Sequence, residues 1–472
     1  MVRWRRSISP DVLIAIGLYL LTLAIYLRAV AVVDGVQVLT GEEASVSIRD
    51  VLFTVEQRFQ ASVYSTNFGA PFYYWAASHL DPWYDLFSAR RWKAAAIALL
   101  APLVYVTLRR RLGCGRPAAA IGAGTVALIP GVAAFSWLAT ENGLEAVWGM
   151  VGLLVVTSRR GWWWIAPVLA GVAVTTYPSG LAWAAGIGVA ALVRALGSPG
   201  RGPDLLRVAA AAAAGAAVVL FPKLWWVNGG RIVTGGGSVE PGGAWSNVRD
   251  LAVLLTRNGQ SYYYFSDQPA LGSPALALAA LAGLAAALLW RRSVWPWAFV
   301  AVATVVLYAP AGNVPGVRRT IALAVVAALA IGVATDLLVR ALASRPALLR
   351  SGTSAVAAAL VLIPLAAGFA GWQAGWTRGE RTLPVDFAFP MAPGATMPET
   401  FEFLTAELRA GRLDAASVAA TWEGERTLAI VLLLAERNGE DVAGLPTAEQ
   451  ITALTYEGPR CFERCRPVPG RP

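Results

Sequence analysis

The chain has 472 residues, of which 57% are hydrophobic and only 14% charged, with a mean hydropathy of +0.55. So little charge cannot coat a soluble surface, where roughly 25% is usual, and the composition excludes both an ordinary soluble enzyme and a disordered chain. The net charge of +10 sits in arginine clusters between apolar runs, which reads as membrane topology rather than nucleic-acid binding.

The opening Met1-Val-Arg-Trp-Arg-Arg precedes an apolar run over 12–33, interrupted only by Arg28. That run is longer than the core of a cleaved leader and long enough to cross a bilayer of ~30 Å, so it is expected to be a signal anchor. Further spans are expected near 94–108, 118–136, 144–158, 162–177, 179–194, 208–226, 272–290, 295–310, 320–340 and 354–372. The total is about eleven. Alternate loops carry Arg109-Arg-Arg, Arg159-Arg160, Arg291-Arg292 and the arginines of 194–207 and 340–350. The positive-inside rule assigns those loops to the cytoplasm. The loops over roughly 34–93 and 227–271, and the tail after Trp372, then face outward. This predicts an inner-membrane protein with its N-terminus inside and its C-terminus outside.

The first outer loop has helical apolar spacing at Val46, Val51, Leu52, Val55 and Phe59, which predicts an amphipathic helix on the membrane surface. The second is glycine-rich and ends in Ser261-Tyr-Tyr-Tyr-Phe, fit for the interface or for a ligand platform. Fourteen acidic and ten basic residues follow Trp372. There, helices are expected over 398–410 and 425–438 and strands over 416–422 and 451–456, a small α/β unit. The expected organisation is thus an all-α membrane module over 1–372 and an extracytoplasmic α/β domain over 373–472. Cys461 and Cys465 share the oxidising side and are expected to form a local disulfide, whereas Cys114 lies in a basic loop and stays reduced. No further zinc ligands lie near them.

The adjacent acids in Leu39-Thr-Gly-Glu-Glu-Ala stand at the outer face soon after the first span. Glu43 or Glu42 can take a proton from an acceptor hydroxyl, each raising the other's proton affinity, or the pair can share a divalent cation such as Mg or Mn. Solvated loop acids are the plainer alternative. Asp34 is a weaker candidate, closer to a helix-end residue. His79 is the single histidine, so a multi-histidine metal site is impossible; with Asp81 it can assist a cation or serve the interface. Glu141 and Glu145 stand at an outward helix start, where acids also suit the helix dipole.

Taken in order, Asn67-Phe-Gly-Ala-Pro-Phe-Tyr-Tyr-Trp, Ser88-Ala-Arg-Arg-Trp-Lys, Ala127-Leu-Ile-Pro-Gly, Leu138-Ala-Thr-Glu-Asn-Gly-Leu-Glu and Thr175-Thr-Tyr-Pro-Ser-Gly-Leu resemble the GT-C superfamily of membrane glycosyltransferases. The similarity is to its protein O-mannosyltransferase and aminoarabinose transferase branch, good over roughly 12–195 and loose over 200–340. The resemblance implies sugar transfer from a polyprenyl-phosphate donor to a glycan, lipid or protein acceptor on the outer face, by inverting displacement with Glu43 as base. It draws Tyr73 and Tyr74 into the substrate region. Glu42 stands where the branch has Asp, Gly69 where it has His, and Tyr177 where it has Lys. Another cation must then hold the leaving phosphate. Arg318 and Arg319 are the preferred pair, because arginine grips phosphate bidentately and paired arginines at an outer helix mouth run against the positive-inside trend; interfacial snorkelling is the alternative. Lys223 and Arg231 follow, with Arg90, Arg91 and Lys93 behind them. A transporter or flippase, with Asp336 as an intramembrane charge, and a non-catalytic cell-envelope partner are the competing readings.

Overall fold

The computed structural model describes residues 9–35, 86–138, 142–159, 161–177, 179–226, 243–257, 269–290, 292–308, 320–342, 347–378, 402, 405–411, 432, 435–436 and 439–445. Among these residues the regular structure is helical, with no strand. The helices in chain order are α1 (Pro10–Gly35), α2 (Leu86–Ala98), α3 (Leu100–Arg110), α4 (Arg116–Leu128), α5 (Pro130–Ala133), α6 (Leu144–Val156) and α7 (Ala166–Thr176). They continue as α8 (Gly180–Leu196), α9 (Arg201–Trp226), α10 (Gly243–Thr256), α11 (Pro274–Trp290), α12 (Trp295–Tyr308), α13 (Ile321–Ala341) and α14 (Ala347–Thr377). Two compact units result: the first from Met1–Tyr26, Ala95–Ser136 and Asn142–Trp372, the second from Leu27–Ala94, Trp137–Glu141 and Gln373–Pro472.

A helix occupies every segment expected to span. Five helices are long and apolar enough to cross a membrane: Pro10–Val33, Arg90–Arg110, Arg201–Val219, Ile321–Ala341 and Ser351–Gly375. Others are shorter; α6 has 13 residues, about 20 Å at 1.5 Å per residue, and falls short of a full crossing. The count of eleven spans is therefore not reached by length alone.

Within the first unit α13 is the core helix, packed against α11, α4, α12 and α3, with 78% of its apolar window buried. At the other extreme, Ser351–Gly375 is almost wholly unburied, and Val356, Leu360 and Ile363 point outward. An apolar face of that extent suits hydrocarbon rather than water. Trp162 and Trp290, both over 70% exposed, adjoin the Arg159-Arg160 and Arg291-Arg292 pairs in the sequence, the placement of interfacial aromatics. Buried hydroxyls close on their own helices: Thr125 donates to the Ile121 carbonyl, Thr304 to Val300 and Thr335 to Ile331, at 2.8–2.9 Å. Each of these three hydroxyls is thereby satisfied within its own helix.

Two elements depart from expectation. The span expected over 118–136 breaks after Leu128, because Pro130 forces Ile129 into an extended conformation (ψ 126°). The break leaves the Ala127 carbonyl without its helical donor, and the Tyr26 hydroxyl of α1 supplies one at 3.0 Å. The Gly131 N–H turns instead to the Ala270 carbonyl, at 2.7 Å. The second departure is α10, which lies inside the expected outer loop 227–271. Its Trp245, Val248, Leu251 and Leu254 recur at intervals of three, and Leu251 and Leu254 are buried. In the C-terminal region 405–409 and 435–436 are helical, within the helices expected there. The expected strands, the amphipathic helix near 45–59, the tyrosine run and the Cys461–Cys465 pair lie outside the described residues.

The arginine loops converge on one end of the first unit. Arg111 donates to the Leu154 carbonyl at 3.0 Å, and Arg194 to those of Val156 (2.6 Å) and Ser158 while lying over the Trp163 ring. Cationic donors thus terminate α6, where the dipole is negative. Asp11 accepts from Arg109, Arg116 and the Tyr105 hydroxyl at 2.9–3.3 Å. Asp336, five residues from the end of α13, accepts from the Gly115 N–H (2.6 Å) and from Arg340 (2.7 Å). It is a cap for the start of α4 rather than a charge held at mid-membrane.

Two stability tests follow. Where α7 meets α9, a Cβ on Gly171 would overlap the Gly215 carbonyl, whereas one on Gly188 meets open space. Gly171→Ala is expected to lower stability by about 1–3 kcal/mol and Gly188→Ala to leave it within about 0.5 kcal/mol, read as thermal midpoints in neutral detergent. Tyr26→Phe strands the buried Ala127 carbonyl and is expected to cost about 1–3 kcal/mol in the same assay.

Candidate functional site

The site residue that the described structure holds most firmly is Glu145. It lies in the first turn of α6 and is fully buried. The helix starts there because Gly143 takes φ +92°, a left-handed conformation that glycine tolerates best. One carboxylate oxygen accepts the Gly143 N–H at 2.7 Å and the other accepts the Ser179 hydroxyl at 2.8 Å. The first contact satisfies a donor at the helix N-terminus, where negative charge is favoured. The second crosses to the turn between α7 and α8.

That turn has its own logic. Tyr177 ends α7 in an extended conformation (φ −157°, ψ 148°), as a residue before proline must. Its carbonyl then accepts the Gly180 N–H at 2.8 Å. Ser179, 1% exposed, is thereby pointed at Glu145. Tyr177 itself is buried, so the position where the resembled branch has a lysine carries no cation. Asn142 is buried beside the same helix start, 3% exposed. The Asn142-Gly-Leu-Glu and Thr175-Thr-Tyr-Pro-Ser stretches are therefore in direct contact.

In the second unit, Arg90 and Lys93 on α2 are fully buried. They fall on one helical face (i, i+3). The Arg90 guanidinium lies 5.8 Å from the centroid of the Trp137 ring, a cation–π separation. Arg91, between them, is exposed. A cation is retained in such surroundings only when partnered. This places Arg90 and Lys93 well above the surface role that snorkelling would give them. The signal was present in the sequence: Arg90, Lys93, Ala94 and Ile97 share the buried face.

The other expected site residues stand apart from this geometry. Glu42, Glu43, His79, Tyr73, Tyr74, Glu141, Arg231, Arg318 and Arg319 lie outside the described residues. Asp34 belongs to the last turn of α1 and Lys223 to the last turn of α9, with only their backbone described. Among the described residues no group of three His, Cys, Asp or Glu is placed to hold a metal ion, and Cys114 is buried and in no disulfide.

Chemically, the buried Glu145 carboxylate can hold a positive partner, orient a hydroxyl or cap its helix. These roles separate by mutation. Ser179→Ala removes one donor from a buried carboxylate and is expected to cost about 1–3 kcal/mol of stability. Glu145→Gln keeps the shape: its oxygen can face the Gly143 N–H and its NH2 group can donate to the Ser179 oxygen. A thermal midpoint held in Glu145→Gln, with loss of activity, assigns Glu145 to function; loss of both assigns it to the fold.

No family model and no curated protein matches the chain. Among solved structures it is similar to the apo form of the Archaeoglobus fulgidus oligosaccharyltransferase, at 16% identity and a TM-score of 0.42, over 75% of this chain and 56% of that one. The chain thus spans little more than half the length of that structure.

Proposed function

We propose that the chain is an integral membrane glycosyltransferase that moves a sugar from a polyprenyl-phosphate-linked donor to an acceptor hydroxyl at the face opposite the arginine loops. The observation that supports this reading is the buried Glu145–Ser179 hydrogen bond. It joins two separate stretches on which the GT-C resemblance rests. Two stretches some thirty residues apart would have no reason to share a buried carboxylate if either were a spacer.

In this reading Glu43 removes the proton from the acceptor hydroxyl. The oxygen then attacks the anomeric carbon, and the bond to the polyprenyl phosphate breaks with inversion. Glu42 orients the acceptor or shares a cation with Glu43. A phosphate leaves without an acid catalyst, but charge develops on its oxygens and preformed cations lower that cost. Arg318 and Arg319 are the first choice for that task, then Lys223 and Arg231. Arg90, Arg91 and Lys93 rank behind them. Glu145 and Ser179 hold the helix start in register as positioning residues.

Glu43→Gln in proteoliposomes with labelled polyprenyl-phosphate sugars is expected to lower turnover by about 10²-fold or more while donor binding persists. Arg318→Ala is expected to weaken binding of the lipid phosphate instead, through loss of a charge-assisted contact. Wild-type turnover in Glu43→Gln removes Glu43 as the base. Absence of both binding and hydrolysis across a panel of such donors removes the enzyme reading.

A further inference from the structure

Between the first half of α1 and α3 lies a cleft of about 460 Å³, at the arginine-rich end of the first unit and lined by none of the residues assigned above. Its wall is apolar, formed by Ala15, Ile16, Leu99, Pro102 and Val106. The cleft opens outward, because Ile16 is 50% and Leu99 41% exposed. Both belong to helices apolar enough to cross a membrane, so the opening faces the acyl region. From Asp11 to Tyr19 the wall runs about 12 Å along the helix, the length of the upper part of one acyl chain.

One end of the cleft is charged, and the charge is unbalanced. Asp11 meets Arg109 at 3.2 Å and Arg116 at 2.9 Å and accepts from the Tyr105 hydroxyl. One carboxylate is thus shared by two guanidiniums. Arg110 lines the same end, is exposed, and among the described residues has no hydrogen-bond or ion-pair partner. The result is a basic mouth on an apolar groove between two membrane-type helices. A neutral lipid would leave that charge unanswered, and a small anion would leave the groove unfilled.

We propose that this cleft binds an anionic phospholipid, its phosphodiester against Arg110 and one acyl chain lying along Ile16, Leu99 and Val106. Charge complementarity selects the headgroup, since each arginine near a membrane surface contributes about 1 kcal/mol toward anionic lipid, roughly a fivefold preference. The groove selects the lipid over its free headgroup. The site is independent of the transfer reaction and stands or falls apart from it.

The test uses the delipidated full-length protein in neutral detergent, titrated with phosphatidylglycerol or phosphatidylcholine and read by native mass spectrometry. Phosphatidylglycerol is expected to bind about fivefold more tightly or better. Arg110→Gln should abolish the preference while leaving phosphatidylcholine binding unchanged. Ile16→Trp fills the groove with every charge intact and should weaken phosphatidylglycerol about fivefold or more. Arg201→Gln removes an exposed arginine at the start of α9 and should change nothing. Circular dichroism reports whether each variant is folded; if Arg110→Gln is not, the lipid preference of the wild type and Ile16→Trp decide. Equal affinity for the two lipids, equal loss in Arg201→Gln, full retention in Ile16→Trp, or displacement of the lipid by millimolar inorganic phosphate would each overturn the proposal.

Discussion

Helices that end in an apolar medium leave their last carbonyls without donors, and in the first unit arginine supplies them. Arg111 and Arg194 close the end of α6, Arg109 reaches the Cys114 carbonyl, and Arg340 reaches that of Gly113. Each of these residues belongs to the loop set whose charge also reads as topology. A single residue type therefore does two tasks, retaining a loop on one side of a bilayer and supplying donors to carbonyls at the end of a neighbouring helix or in the turn before the next one. Two acids of this end serve the same frame. Asp11 gathers Arg109 and Arg116, and Asp336 holds Arg340 while capping Gly115.

Above that end, packing depends on how closely backbones approach. Lipid gives helices no hydrophobic reason to associate, so small residues at contacts replace it. Gly171 and Gly215 bring α7 against α9, and Gly122 and Gly332 admit the Leu108 side chain between α4 and α13. The large residues fill the spaces so defined: Trp183 covers Gly149, and its ring is fully buried. The arrangement explains why α13, rich in alanine and valine, is the buried helix, while the leucine-rich face of α11 looks outward at Leu278, Leu281 and Leu289.

Most of the helical framework was legible from the sequence, because a chain that must satisfy its backbone without water forms helices wherever it is apolar. Hydropathy alone reads the amount of apolar surface and not its phase. It merged α4 with the segment after Pro130, and it passed over α10, whose apolar stripe is diluted by Ser246, Asn247, Arg249 and Asp250. The candidate site was less legible for the same reason. From sequence, Arg90 and Lys93 ranked with Arg91 behind the other candidate phosphate cations, and only the buried face of α2 separates them from exposed Arg91. Glu145 read as one of two acids at a helix start, with nothing in the sequence to mark Ser179 as its partner. The acids favoured by the resemblance, and the arginines favoured by their chemistry, fall in stretches with weak apolar patterning, where chemistry is read more readily than position.

The interruption at Pro130 also divides the chain by its tolerance to changes of length. Residues 129–136 are not a continuous helix, yet every one of them is buried. Their polar groups are met one by one, Gly131 N–H by Ala270, and the Ser136 hydroxyl by the Ala133 carbonyl at 2.6 Å. A helix absorbs an inserted residue by rotating its exposed part about 100°, and a surface loop absorbs it by bulging into solvent. This stretch has neither outlet. An added or missing residue there would exchange each of those pairings for an unmet one, whereas the exposed stretch at Gly161 and Trp162 could lengthen into solvent. Within the first unit, the segment that looks least regular is thus the one whose length is most strictly set.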